Sequence, residues 1–251
     1  MQIGSLAATR VALLAGLIAL AAAPSRAVQF TLDVLADGQA VGSFDATQLG
    51  CTDNPDGVTA HCSASGLAAG SLGITSLNIN LDSDPSINGV VAVQNNAAVT
   101  AQYTMIFSLL VAPIGPSTLT GGSVAGGVTD YDGNGATLST TGPGSALYTA
   151  LIDGANYQQL FTHPTSAVVV APFESTDLPT GPGINDFGTP IPSQPGPAVA
   201  SKIGIKYNFN LTSQDGASFT GVFVVDPVPE PTTALLVGLG LMGLGWASRR
   251  R

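Results

Sequence analysis

From Val99 to Val111 the chain writes apolar residues at every second position: Val99, Ala101, Tyr103, Met105, Phe107, Leu109 and Val111 face away from Thr100, Gln102, Thr104 and Ser108. Successive side chains of a strand point to opposite faces, so this period places one face on a core and the other in water. The same signature recurs along the chain. Phe30, Leu32 and Val34 alternate with polar partners, and Asp37-Gly38 is a hairpin turn leading into Val41 to Phe44. Leu77, Ile79 and Leu81 alternate with Asn78, Asn80 and Asp82, and Val90 to Gln94 is a further short strand. Ser117 to Thr129, Ala136 to Thr141, Ala146 to Ile152, Gln158 to Thr162 and Ala167 to Ala171 read as weaker strands, the first rich enough in glycine to be a loop instead. Ile203, Ile205, Tyr207, Phe209 and Leu211 form another alternating face, Gln214-Asp215-Gly216 turns the chain, and Phe219 to Val225 returns.

Turn signals between such short strands, with no helical periodicity, predict an all-β fold: an antiparallel two-sheet sandwich, jelly-roll-like. Six prolines and four glycines between Asp177 and Pro197 oppose a regular ladder and predict a long surface loop within that one domain.

Both ends of the chain stand apart from this pattern. Residues 1–27 have the layout of a secretory signal peptide: Arg10 ahead of an apolar run from Val11 to Ala23, then Ser25-Arg26-Ala27 as a small-x-small cleavage site for signal peptidase. Residues 28–226 make the extracytoplasmic domain. After it come Val228, Pro229, Glu230 and Pro231, an uncharged apolar segment from Thr232 to Ser248, and Arg249, Arg250 and Arg251. That segment is 17 residues, about 26 Å of helix, at the short end of what spans a bilayer. The arginines hold their end in the cytoplasm and leave the domain outside. All 16 acidic residues lie between Asp33 and Glu230, whereas the basic residues there are only Lys202 and Lys206. A surface this negative repels phosphate backbones, which excludes nucleic acid as a partner.

A Pro-Glu-Pro element, one Leu/Gly-rich membrane helix and a basic stop, in that order, resemble the PEP-CTERM sorting tails that exosortases read in Gram-negative bacteria. The resemblance is confined to residues 227–251. It implies export, a transient inner-membrane anchor, and processing by an exosortase at or near Val228 to Pro231. It further implies a structural or adhesive role at the cell surface or in the biofilm matrix, in association with extracellular polysaccharide. The reading from another class is a carbohydrate-binding module or polysaccharide-active enzyme carrying the same tail.

Within the domain, chemistry is sparse. Cys51 and Cys62, the only cysteines, are expected to form a disulfide outside the cytoplasm, pinning a Gly/Asn/Pro/Asp-rich loop. With His61 they offer three metal ligands, two of them adjacent, which is not ordinary zinc spacing. Asp130-Tyr131-Asp132-Gly133-Asn134-Gly135 matches the first half of a calcium loop, with Asp130, Asp132 and Asn134 as oxygen ligands. Position 12 is Thr141, so the closing Glu is missing. The loop is either a turn favoured by Asp, Asn and Gly, or a calcium site completed by a distant carboxylate.

No nucleophile elbow, zinc-protease motif or phosphate loop is present, so no enzyme is expected. His61 and His163 read as surface residues, and Glu174 with Asp177 as a solvated pair rather than a glycosidase dyad. The only tryptophan, Trp246, lies in the tail, leaving Tyr131, Tyr148 and Tyr157 as candidate sugar platforms. Lys202 and Lys206 share one strand face, where they contact an anionic sugar or offset nearby aspartates.

Overall fold

The computed structural model describes residues 28–162, 167–181 and 183–228, with positions 238, 239, 241 and 242 of the tail. In chain order its strands begin with β1 (Phe30–Ala36), β2 (Gln39–Asp45), β3 (Cys51–Asp53), β4 (Thr59–Ala64), β5 (Leu67–Ala69) and β6 (Leu72–Asp82). Next come β7 (Ser86–Asn95), β8 (Ala101–Leu110), β9 (Thr118–Thr129), β10 (Ala136–Ser139), β11 (Ala146–Ile152) and β12 (Ala155–Thr162). The last are β13 (Val168–Val170), β14 (Ser175–Asp177), β15 (Asp186–Phe187), β16 (Gln194–Gly196), β17 (Lys202–Leu211) and β18 (Gly216–Pro227).

They form two antiparallel sheets. The first runs β12-β11-β17-β8-β1-β2; β10 continues along β17 beyond β11, and β13 lies outside β10. The second runs β14-β9-β18-β7-β6-β4-β3; β15 and β16 share the β9 edge with β14, and β5 adjoins β6. From β7 to β10 and from β16 to β18 consecutive strands alternate between the sheets, so several connections cross the edge of the sandwich.

The alternation read from the sequence sets which faces meet. Ala101, Tyr103, Met105, Phe107 and Leu109 of β8 are buried, as are Ile203, Ile205, Tyr207, Phe209 and Leu211 of β17 beside it. Phe219 of the opposite sheet stacks on Tyr207 with ring centroids 4.9 Å apart and tilts against Phe209 at 5.0 Å. Burying each such side chain contributes roughly 1.5–3 kcal/mol. Hydroxyls inside this aromatic layer find partners across it: Tyr148 donates to the Val222 carbonyl at 2.8 Å, and Tyr103 to Asn95 Oδ1 at 2.6 Å. Tyr148, expected on the surface, is thereby a fully buried core residue. At the Asp37-Gly38 turn both φ angles are positive, 49° and 77°, the geometry of the tight hairpin turn that Asp-Gly favours.

Two expectations change, and the weaker strand read at Ser117 to Thr129 is borne out as β9. Residues 51–64 form the β3–β4 hairpin at the edge of the second sheet, with Cys51 directly opposite Cys62, in place of a loop. β9 is a continuous strand despite its glycines. The proline-rich stretch is a belt laid along the exposed edge of β9, to which β14, β15 and β16 pair in turn. Each segment is two or three residues long, short enough for proline at a sheet edge. The belt also explains the glycines. A Cβ on Gly122 would stand 2.6 Å from the Phe187 ring, and one on Gly121 2.7 Å from Ile191 Cγ2.

Candidate functional site

The last strand organises the functional geography. β18 is bonded along its whole length to β9 and over Gly216 to Val224 to β7, so it lies in the middle of the second sheet. It ends at Pro227, and the Val228 amide still donates to the Ser117 carbonyl at 3.0 Å. The first expected tail residue is therefore tied to the sandwich, with no flexible linker before it. Pro229, Glu230, Pro231, most of the apolar segment, and Arg249, Arg250 and Arg251 lie outside the described residues, as do residues 1–27 and His163. Positions 238, 239, 241 and 242 are helical, with Leu239, Leu241 and Met242 exposed. Among the described residues no helix is long and apolar enough to cross a membrane.

At the start of β18, the opposite end of the same strand, stands a group of carboxylates. Asp130 and Asp132 lie in the connection from β9 to β10, Asp215 in the turn from β17 to β18, and one oxygen from each falls within 4.8 Å of the others. Asp130 and Asp215 are buried and Asp132 is exposed. Asp130 accepts from the amides of Gly133 and Phe173, and Asp215 Oδ1 from the Tyr131 amide at 3.3 Å. While ionised, Asp215 Oδ2 has no hydrogen-bond partner, the one such buried side-chain oxygen or nitrogen among the described residues; protonated, the carboxyl donates to Asp130. Burial pushes the Asp215 carboxyl above its ordinary value, and the neighbouring Asp130 adds to this against hydrogen bonds from Thr212 and Tyr131. Burial opposes ionisation of Asp130 too, but hydrogen bonds from Phe173, Asp215, Gly135 and Gly133 outweigh it and hold that carboxyl low. Asn134, expected as a third ligand, donates its side-chain amide to Asp132 Oδ2 at 2.7 Å. Asp215, not singled out as a ligand by the sequence, joins Asp130 and Asp132 in the cluster.

Residues 227–251 match the family model of the PEP-CTERM protein-sorting motif. The chain carries a PEP-CTERM sorting signal. That signal indicates exosortase-dependent sorting of a secreted protein, from an exported, membrane-anchored precursor. No curated protein matches the chain.

The matched residues begin at Pro227, the last residue of β18, so the PEP-CTERM signal and the sandwich share a junction. Elsewhere the sandwich offers a polar groove of about 240 Å³ on the outer face of the first sheet. Thr149 of β11, Asn156 and Gln159 of β12, and Lys206 and Asn208 of β17 line it, with the loop from Pro143 to Ala146 as its rim. Lys206 donates to Asn156 Oδ1 at 2.8 Å, not to an aspartate, and partial burial lowers its pKa. Cys51 and Cys62 are joined as a disulfide, which removes them as metal ligands. His61 Nε2 lies 3.2 Å from Asn78 Oδ1 on the exposed face. Glu174 precedes β14 and Asp177 ends it, both exposed. Tyr131 is exposed, and Tyr157 is half-buried with its hydroxyl donating to the Pro195 carbonyl. Asn156, Gln159, Lys206 and Asn208 lie on two strands, and nothing in their local sequence separates them from ordinary solvent-facing positions; Thr149 is buried.

Proposed function

We propose that the mature sandwich is a structural or adhesive component of the cell surface or extracellular matrix and holds polysaccharide in the groove over Asn156, Gln159, Lys206 and Asn208. The observation that supports this reading is the chemistry of the groove on a protein sorted outward. Amide side chains match the paired donors and acceptors of sugar hydroxyls. The lysine supplies a positive charge on an otherwise strongly acidic surface, which suits a uronate carboxylate. Repulsion from the surrounding carboxylates keeps such binding weak for each protein and dependent on many copies acting along one polymer.

The test is retention of the mature protein, taken from its native host, on uronate-bearing and neutral polysaccharides. The acidic polymer should retain it, and Asn156→Ala with Gln159→Ala should weaken retention about tenfold, the scale of one or two lost hydrogen bonds. Equal retention of the variant would remove the groove from the account. Shortening of the polymer during the assay would favour the polysaccharide-active enzyme over the adhesive protein.

A further inference from the structure

We propose that Asp130, Asp132 and Asp215 bind a calcium ion that fastens the two sheets together at the end of the sandwich opposite the sorting signal. Four connections between the sheets gather there: β7 to β8, β9 to β10, β13 to β14 and β17 to β18. Asp130 and Asp132 sit on the second of these and Asp215 on the fourth, while the Phe173 amide that holds Asp130 belongs to the third. The first also joins in, since the Asn95 amide donates to the Asp215 carbonyl at 2.9 Å. An ion held by these carboxylates therefore ties the connections to one another as well as the residues.

Two observations point to a ligand. The first is the unpartnered, fully buried Asp215 Oδ2. Leaving a buried charged acceptor unsatisfied is costly, and a cation removes the cost. The second is the absence of a protein counter-charge at this end among the described residues. Lys202 and Lys206 are the only cations there: Lys206 is bonded to Asn156, and the Lys202 side chain lies against Gly154. The donor set is oxygen alone, drawn from two separate loops without octahedral regularity, which suits calcium over magnesium or a transition metal. Three carboxylates in a partly exposed site fit the affinity of extracellular calcium modules, a dissociation constant of about 0.1–1 mM. The exported side of the membrane is where such an affinity has use.

The experiment takes the full-length chain in detergent, stripped with a chelator, and titrates it with calcium, magnesium and terbium. Terbium should give emission sensitised by Tyr131, whose amide bonds Asp215, and calcium should displace it. Saturating calcium, near a hundred times the dissociation constant, should raise Tm by about 5–10 °C. Asp132→Asn, at an exposed position, should fold normally and weaken calcium at least tenfold. Asp215→Asn should raise the Tm of the chelated protein above wild type and abolish the calcium response, a pairing that a purely structural aspartate does not produce. No terbium emission, unchanged binding by Asp132→Asn, or an equal response to magnesium would each overturn the assignment, leaving Asp130 and Asp215 as a pair that shares a proton.

Discussion

Asn95 is the residue on which the crossing end of the sandwich depends. Its buried amide nitrogen donates to the carbonyls of Val99, Leu211 and Thr212 at 2.9–3.0 Å, and its oxygen accepts from the Tyr103 hydroxyl and the Ala97 amide. Truncation leaves the buried Leu211 carbonyl without this donor and the Tyr103 hydroxyl with Ser71 alone. Asn95→Ala should therefore cost about 2–4 kcal/mol, and Tyr103→Phe about 1–2, read from urea denaturation. At the other end Asp153 does comparable work at the surface, accepting from the amides of Ala200, Ser201 and Lys202 and from the Ser201 hydroxyl. Burial works against its carboxylate, but these donors outweigh it and lower the pKa from 3.8. A lowered carboxyl stabilises the fold fully above the unfolded-chain value and loses that contribution as pH falls through the folded one. Asp153→Asn should then cost about 1 kcal/mol near neutrality, after allowance for solvent screening. Its Tm deficit against wild type should shrink toward zero below the folded pKa; a deficit constant with pH would contradict the charge argument.

At the scale of elements, legibility followed the source of each strand's order. β8 and β17 are written in their own residues, because each buries one face and period two is all that requires. β14, β15 and β16 are not, since they are held by the edge of β9 and carry proline and glycine like any loop. Conversely, β9 looks loop-like because its glycines serve the belt packed on it. Gly122→Ala should displace Phe187 and destabilise by about 1–3 kcal/mol, the usual cost of overpacking. The β3–β4 hairpin was hidden for a related reason: cross-strand pairing and the disulfide hold it, and it has little apolar material of its own. Reducing Cys51–Cys62 should cost about 3 kcal/mol on the chain-entropy model, seen as a lower Tm in reductant. Since the hairpin sits at the sheet edge, the far-ultraviolet spectrum should stay that of β structure below the new midpoint.

Across the whole molecule, β18 sets a polarity. Its twelve residues separate the carboxylate cluster from the sorting signal by about 36 Å along one extended strand. Two of the three carboxylates of the cluster were legible, because Asp130 and Asp132 lie in a loop with calcium-like spacing. Asp215 was not, because its own sequence context is an ordinary turn and only the pairing of β9 with β18 brings it there. The sorting signal could be read in full for the opposite reason: it is a linear address, recognised as a segment and independent of tertiary contacts. Together these place the sorting signal at one end of the sandwich and four of its inter-sheet crossings at the other, so removing the tail frees the domain without touching its core.

The most direct test of this account is the intact mass of the extracellular protein recovered from its native host. A chain beginning near Val28 and ending within or just before Val228 to Pro231 is the predicted product. A chain that still ends in Arg251 would contradict exosortase processing and make the tail a permanent anchor.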